Sequence, residues 1–328
     1  MSTSILSVKD LSVGFHTYRG DIKAVRGVTF GVDEGEIVGI VGESGCGKSV
    51  TAHAVMGLLP KENSFISGGS ISFMHNDITT LSEEAMENIR GSAISMIFQD
   101  PMTSLNPVLT IGQQMTEGVK GLTGQEAYEK ALALLERVGI ANPRERMKDY
   151  PHQFSGGMRQ RVMIAMALMG NPRLLFADEP TTALDVTIQA QILALLDELR
   201  HDMKMSIVLV SHDLGVIARI CDRVNVMYAG RIVEQGTVAE IFHNPQHPYT
   251  KGLLNSLPRM DMSLDEELPV IDGQPPDLLY DITGCSFVSR CSCAMQVCTD
   301  TKPVEQSVSD SHKAECWLLA KNRSKEAV

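Results

Sequence analysis

Short apolar runs rich in β-branched residues alternate along the chain with longer stretches of helical period. Glu36-Ile37-Val38-Gly39-Ile40-Val41 is too short and too uniformly apolar for an amphipathic helix, and it reads as a buried strand. Arg173 to Asp178 and Ser206 to Val210 have the same character. Ile5 to Val8 and Val25 to Val32 read as opening strands with turn residues between them. Helices are expected from Lys48 to about Leu59, Gln125 to Val138, Gly157 to Met169, Thr187 to Lys204, and Asp213 to Ile220. Strands alternating with helices predict an α/β fold around a parallel sheet. The stretch from Pro101 to about Ala167 is mostly helical and breaks the alternation, which predicts an inserted helical subdomain over about 101–167. From about Asp261, acidic residues, prolines and then cysteines replace the pattern. The expected organisation is a main domain over 1–260 and a small cysteine-rich appendage over 261–328.

Composition narrows the function. The formal net charge of −11 argues against a chain built to coat nucleic acid, which requires a basic face. Hydrophobic residues at 43% and charged residues at 21% give an ordinary globular balance. No apolar run approaches the ~18 residues of a membrane-spanning helix. Met1 to Asp10 lacks the charged-then-apolar pattern of a signal peptide, so a cytosolic location is expected, with any membrane role exerted through partners. Five of the seven cysteines fall after residue 284. In a reducing compartment such crowding points to metal or cluster ligation rather than to disulfides.

Gly42-Glu43-Ser44-Gly45-Cys46-Gly47-Lys48-Ser49 fits the phosphate-loop pattern G-x-x-x-x-G-K-S, after a strand and before a helix. Its glycines let the backbone curl so that N–H groups face phosphate oxygens. The following helix start, through Ser49 and Val50, adds a partial positive charge. Lys48 would reach the terminal phosphates, and Ser49 would supply a hydroxyl to Mg²⁺. Cys46 reads as a small loop residue, not a nucleophile. Leu174 to Glu179 is a buried strand ending in two carboxylates. Asp178 would hold Mg²⁺, and Glu179 would polarise the attacking water as general base. The expected core is thus a P-loop NTPase of RecA-like type, binding ATP and Mg²⁺.

Phe154-Ser155-Gly156-Gly157-Met158-Arg159-Gln160-Arg161 lies between these elements, at the start of a helix. By itself it reads as an ordinary Ser-Gly-Gly cap. In this position it resembles the signature of ABC ATPases, usually L-S-G-G-Q, with Met158 standing where that family usually has Gln. The resemblance covers roughly residues 5–260. It implies that Ser155, Gly156 and Gly157 dock on the γ-phosphate held by another subunit. It likewise implies that Gln99, after Ile94 to Phe98, contacts Mg²⁺ and water and couples to the membrane subunit. Ala183-Leu184-Asp185 resembles the D-loop, and His212 in Ser211-His212-Asp213 resembles the switch histidine. Tyr18 or Phe15 would stack on adenine, with Arg19 nearby; Tyr18 is favoured.

Further segments resemble the peptide/nickel importer branch of that family, and within it the D-type ATPase subunits of dipeptide and oligopeptide permeases. They are Val41 to Gly45, Phe98 to Pro107, Asp178 to Thr187, His247 to Leu254, Gly273 to Pro276 and Gly284 to Cys291. The resemblance implies a peripheral ATPase on the cytoplasmic face of the cell membrane. It would work with a second, different ATPase, two transmembrane permeases and an extracytoplasmic binding protein, with no nucleic acid. The cargo would be di- or oligopeptides, nickel or metal chelates. Cys285, Cys291, Cys298 and Cys316 have the spacing C-x5-C-x6-C-x17-C. Four thiolates suit Zn²⁺ or a [4Fe–4S] cluster; the resemblance implies the cluster. Cys293 fits no slot, and His312 reads as solvated. The alternative, a soluble ABC-type ATPase not coupled to transport, usually carries two cassettes or a long coiled-coil insertion. The chain shows neither.

Overall fold

The structure is a computed structural model and describes residues 4–320, apart from 118, 120, 183 and 258–268. Ala183 of the expected D-loop, and the expected domain boundary at 260, lie outside the described residues. The chain opens with two long strands, β1 (Ser4–Thr17) and β2 (Gly20–Asp33), then β3 (Ile37–Val41) and helix α1 (Lys48–Met56). β4 (Ser64–Phe73), β5 (Asn76–Asp77), α2 (Glu83–Ile89) and β6 (Ile94–Ile97) follow. Five helices fill the segment expected to be helical: α3 (Pro101–Ser104), α4 (Ile111–Thr116), α5 (Gly124–Arg137), α6 (Pro143–Arg146) and α7 (Gly156–Ala167). Alternation resumes with β7 (Leu174–Asp178), α8 (Val186–Met203), β8 (Ser206–Ser211), α9 (Leu214–Ile220), β9 (Arg223–Tyr228) and β10 (Arg231–Thr237). Helices α10 (Val238–His243) and α11 (Pro248–Asn255) precede the tail, which adds α12 (Gln296–Asp300), β11 (Gln306–Ser307) and β12 (Lys313–Ala314).

The opening strands are much longer than their apolar cores. β1 passes through Asp10 in the left-handed region (φ +50°) and β2 through Gly27 (φ +73°). These irregularities break the alternation on which a sequence reading of strands depends.

The fold divides into two compact units. The first holds 1–5, 32–37 and 73–210. Here β6, β7 and β8 run parallel, with Ile97 paired to Ala177 and Asp178 to Val210. Every residue of β7 is buried, as a parallel strand covered on both faces requires. Among the helices, α5 shows how the sequence sets its own boundary. Thr123 accepts from the Glu126 N–H, and the Glu126 carboxylate accepts from the Thr123 N–H in return. That capping box satisfies two donors that a helix start leaves unpaired. Ala127, Ala131, Leu134 and Leu135 then form its buried stripe.

The second unit holds 6–31, 38–72 and 211–328. In it β1 lies between β2 and β4. A second sheet pairs β3 parallel to β9, and then β9, β10, β12 and β11 antiparallel in that order. The antiparallel edge adds to the parallel sheet expected. Its cause is a two-residue hairpin at Ala229-Gly230, with φ of +46° and +80°. Two consecutive positive φ values match the twist of paired strands, and usually Asn-Gly or Asp-Gly announces them. Ala229 carries no such signal. The tail then continues the edge: Glu234 pairs with Ala314 and Gln235 with Lys313.

Candidate functional site

The phosphate loop follows β3 directly and ends in α1. Gly47, at the helix cap, has φ +102°, and Gly45 has φ +76°. A Cβ added at Gly47 would lie 2.5 Å from the Ala24 carbonyl oxygen, and one at Gly42 would lie 2.1 Å from that of Met227. Only glycine fits either place. Lys48 is 5% exposed. Its Nζ donates to the Gly42 carbonyl at 2.8 Å and to the Glu43 carbonyl at 3.0 Å. The ammonium therefore closes the loop as a ring, with Ser44 and Gly45 at its outer rim and Ser49 and Val50 in the first helical turn. The Cys46 thiol is buried, and that burial pushes its pKa up. It stays protonated, in keeping with a loop residue and not a nucleophile.

At the C-terminal end of β7, Asp178 is 3% exposed and Glu179 is half-buried. Glu179 has φ +47°, and its N–H donates to the Val210 carbonyl at 2.9 Å. A non-glycine residue held in this region is strained by ~1 kcal/mol or more, a cost tolerated mainly where it aims a side chain. One carboxylate oxygen of Glu179 accepts from Gln99 Nε2 at 2.9 Å and from Thr182 Oγ1 at 2.9 Å. The expected base and the expected Q-loop glutamine, 80 residues apart in sequence, are thus in direct contact. Thr182 was not singled out by the sequence reading.

Ser155 caps α7, accepting from the Met158 N–H at 3.3 Å. Gly156 is exposed. A Cβ at Gly157 would lie 3.0 Å from a methyl of Ile188, so this glycine lets α7 approach α8 closely. Asp185 caps α8 through the Ile188 N–H at 2.9 Å. His212 is exposed at the end of β8, before Asp213, whose Oδ1 caps α9 by accepting from Gly215 at 2.7 Å. Tyr18 sits in the turn between β1 and β2 and is 98% exposed. Phe15 is half-buried, and the Arg19 guanidinium lies 3.9 Å from Asp277.

In the tail, Cys285, Cys291, Cys298 and Cys316 line one cavity together with Cys293, Phe287 and Trp317. Gly284 permits the chain crossing that brings them together: a Cβ there would lie 2.2 Å from the Cys298 carbonyl oxygen. Burial, and then the neighbouring thiols, push up the pKa of Cys316 to about 11, and burial raises those of Cys285 and Cys291. Among the described residues, no group of three or more His, Cys, Asp or Glu side chains is arranged to hold a metal ion.

A family model described as ABC transporter matches residues 25–182. A second, described as the C-terminal region of oligopeptide/dipeptide transporters, matches residues 233–298. The chain is 54% identical over 317 residues to the dipeptide transport ATP-binding protein DppD of Bacillus subtilis, covering 96% of this chain and 94% of that protein. It is 53% identical over 320 residues to the oligopeptide transport ATP-binding protein OppD of the same organism, covering 97% and 89%. The chain belongs to the ABC transporter ATP-binding family. Among solved structures, a dimeric ATP-binding cassette in a post-hydrolysis state bound to ADP and Pi superposes with a TM-score of 0.64 at 27% identity. That match covers 71% of this chain and 98% of that one. The ABC ATPase core expected from the sequence is therefore the fold observed.

An expectation about the tail of this ABC ATP-binding chain needs correction. His312 is not solvated: it is 1% exposed, and its Nε2 shares a 2.7 Å hydrogen bond with the Glu234 carboxylate. Glu234 is itself fully buried and also accepts the N–H groups of Gln246 at 2.7 Å and His247 at 2.9 Å. Burial works against that charge, but the hydrogen bonds, His312 foremost, outweigh it and hold the carboxyl pKa down. A buried charge needs such a set of partners. Nothing in the sequence around His312 announces a partner 78 residues upstream. Among the described residues no helix is long and apolar enough to cross a membrane.

Proposed function

We propose that this chain is the ATP-hydrolysing subunit that energises an importer for di- or oligopeptides or related cargo. The observation that carries the reading is the contact between Gln99 and Glu179, with Glu179 held at positive φ at the end of β7. A glutamine amide on the base carboxylate suits a residue that senses bound nucleotide and links it to a membrane partner. In this reading the N–H groups from Gly42 to Val50 and the Lys48 ammonium take the phosphates. Tyr18 stacks on adenine. Ser49, Gln99 and Asp178 hold Mg²⁺, Glu179 activates water, and His212 contacts the γ-phosphate. Ser155, Gly156 and Gly157 would serve the site of a second ATPase, with Asp185 at the interface. The cassette spans 1–260 and the tail 261–328.

The peptide class rests on the match to the transporter C-terminal region and on the two Bacillus relatives. It implies a second ATPase, two permeases and an extracytoplasmic binding protein, with this subunit peripheral on the cytoplasmic face. Cys285, Cys291, Cys298 and Cys316 would hold a [4Fe–4S] cluster. A cluster takes one thiolate per iron, and what supports the reading is that these four cysteines line one cavity. Such a group would staple a tail with little core of its own. Purification of the chain from its native membrane in mild detergent tests the reading. Two permeases and a second ATPase should accompany it. Recovery alone, or with ribosomes or DNA, would favour an ATPase not coupled to transport.

A further inference from the structure

Glu43 is the second residue of the phosphate loop, and its negative charge stands in the loop that would hold a polyanion. The carboxylate is gripped from the tail. Arg290 donates Nη1 to one oxygen at 2.8 Å and Nη2 to the other at 3.1 Å. The Arg290 side chain is 5% exposed. Its remaining donors are all used: Nε on the Asp272 carbonyl at 2.9 Å, Nη2 on the Ile271 carbonyl at 3.0 Å, and Nη1 on Tyr228 Oη at 3.4 Å. The guanidinium lies 5.8 Å from the Tyr228 ring centre and 5.9 Å from that of Phe287. The Glu43 N–H meanwhile donates to the buried Tyr249 hydroxyl at 2.9 Å. Side chain and backbone of one loop residue are therefore both fixed by residues beyond 248.

We propose that Arg290 is a positioning residue for nucleotide binding, neutralising Glu43 and fixing the outer rim of the phosphate loop from the C-terminal segment. The inference rests on the reading of that loop as an ATP site. Two physical effects act together. An unpaired carboxylate within several ångströms of a triphosphate repels it, and in a partly desolvated loop the repulsion is weakly screened. A two-oxygen grip also fixes the direction of the Glu43 backbone, whose carbonyl is one of the two that Lys48 holds. Lysine at 290 could supply the charge but not five donors in one plane. Arg290 also immediately precedes Cys291, one of the cysteines that line the tail cavity.

The test is the Kd of the full-length chain for a fluorescent ATP analogue, with melting temperature measured in parallel. Arg290→Gln should raise Kd about tenfold, as expected for one uncompensated charge near the phosphates. Glu43→Gln combined with Arg290→Gln should recover most of that loss, because the repelling charge is gone. Arg290→Lys, the variant most certain to fold, should fall between wild type and Arg290→Gln. Lys23→Ala removes the exposed Lys23–Asp281 contact between β2 and the tail and should leave Kd unchanged. An unchanged Kd in Arg290→Gln and Arg290→Lys, with wild type binding normally, overturns the clamp even if melting temperature falls. A loss that the double variant does not relieve also overturns it. Failure of wild type and every variant to bind nucleotide overturns the ATP reading, and the clamp with it.

Discussion

The phosphate loop and the cysteine cavity, which we propose each hold a group from outside the chain, are made in opposite ways. The loop is eight consecutive residues whose backbone is the receptor. Its glycines are fixed by conformation and by clashes of 2.1 and 2.5 Å, and its lysine by two carbonyls of the same loop. The cavity draws its thiols from across 32 residues of chain, with a chain crossing at Gly284 and the rings of Phe287 and Trp317 among its lining. A local receptor survives where its neighbours vary. A dispersed one depends on the whole tail, and the pairing of β12 with β10 is part of that dependence.

The comparison would break most visibly at Lys48. Lys48→Ala should lower ATP affinity by on the order of 100-fold, while the melting temperature shifts by only a few degrees. A collapse of folding instead would mean that the lysine's carbonyl contacts hold up the unit itself. Next in size, the proposed cluster predicts iron in the purified wild-type protein, most of which Cys298→Ser should release while exposing the tail to limited proteolysis, with the cassette left intact. Iron-free wild-type protein carrying stoichiometric zinc would contradict the cluster.

Glu234→Ala sharpens the contrast from the side of the tail. It leaves His312 and two N–H groups unpaired in the interior and should cost about 2–4 kcal/mol in denaturant unfolding. A cost below 1 kcal/mol would show that water reaches the site. The smallest effect concerns Glu240. Burial opposes its charge, but hydrogen bonds from Ser309, Thr237 and Ser311 win and bring its pKa down to about 2. A carboxyl with a depressed folded pKa stabilises the fold above its unfolded value of about 4.3. That contribution should fade as pH falls from there toward 2, and Glu240→Gln should remove this part of the acid sensitivity. An unaltered acid profile would place the sensitivity elsewhere.

The two regions also differ in how far they could be read from the chain. The loop, β7 and the capped helices were legible because each is specified by contiguous residues: a strand, a glycine turn, a lysine. The four cysteines were legible as a set but not as a place. The contacts that fix these regions were not legible at all. Arg290 meets Glu43 across 247 positions, and Gln99 meets Glu179 across 80. Neither pair has a local signal, because tertiary topology alone makes them neighbours. The Ala229-Gly230 hairpin was missed for another reason: its first residue adopts a positive φ that alanine rarely takes.

The central claim is that Glu179 activates the water that cleaves ATP. It is tested most directly by measuring bound nucleotide and phosphate release for Glu179→Gln in the assembled transporter. The account predicts retained, uncleaved ATP, with turnover reduced at least 100-fold. Phosphate release at the wild-type rate would contradict it.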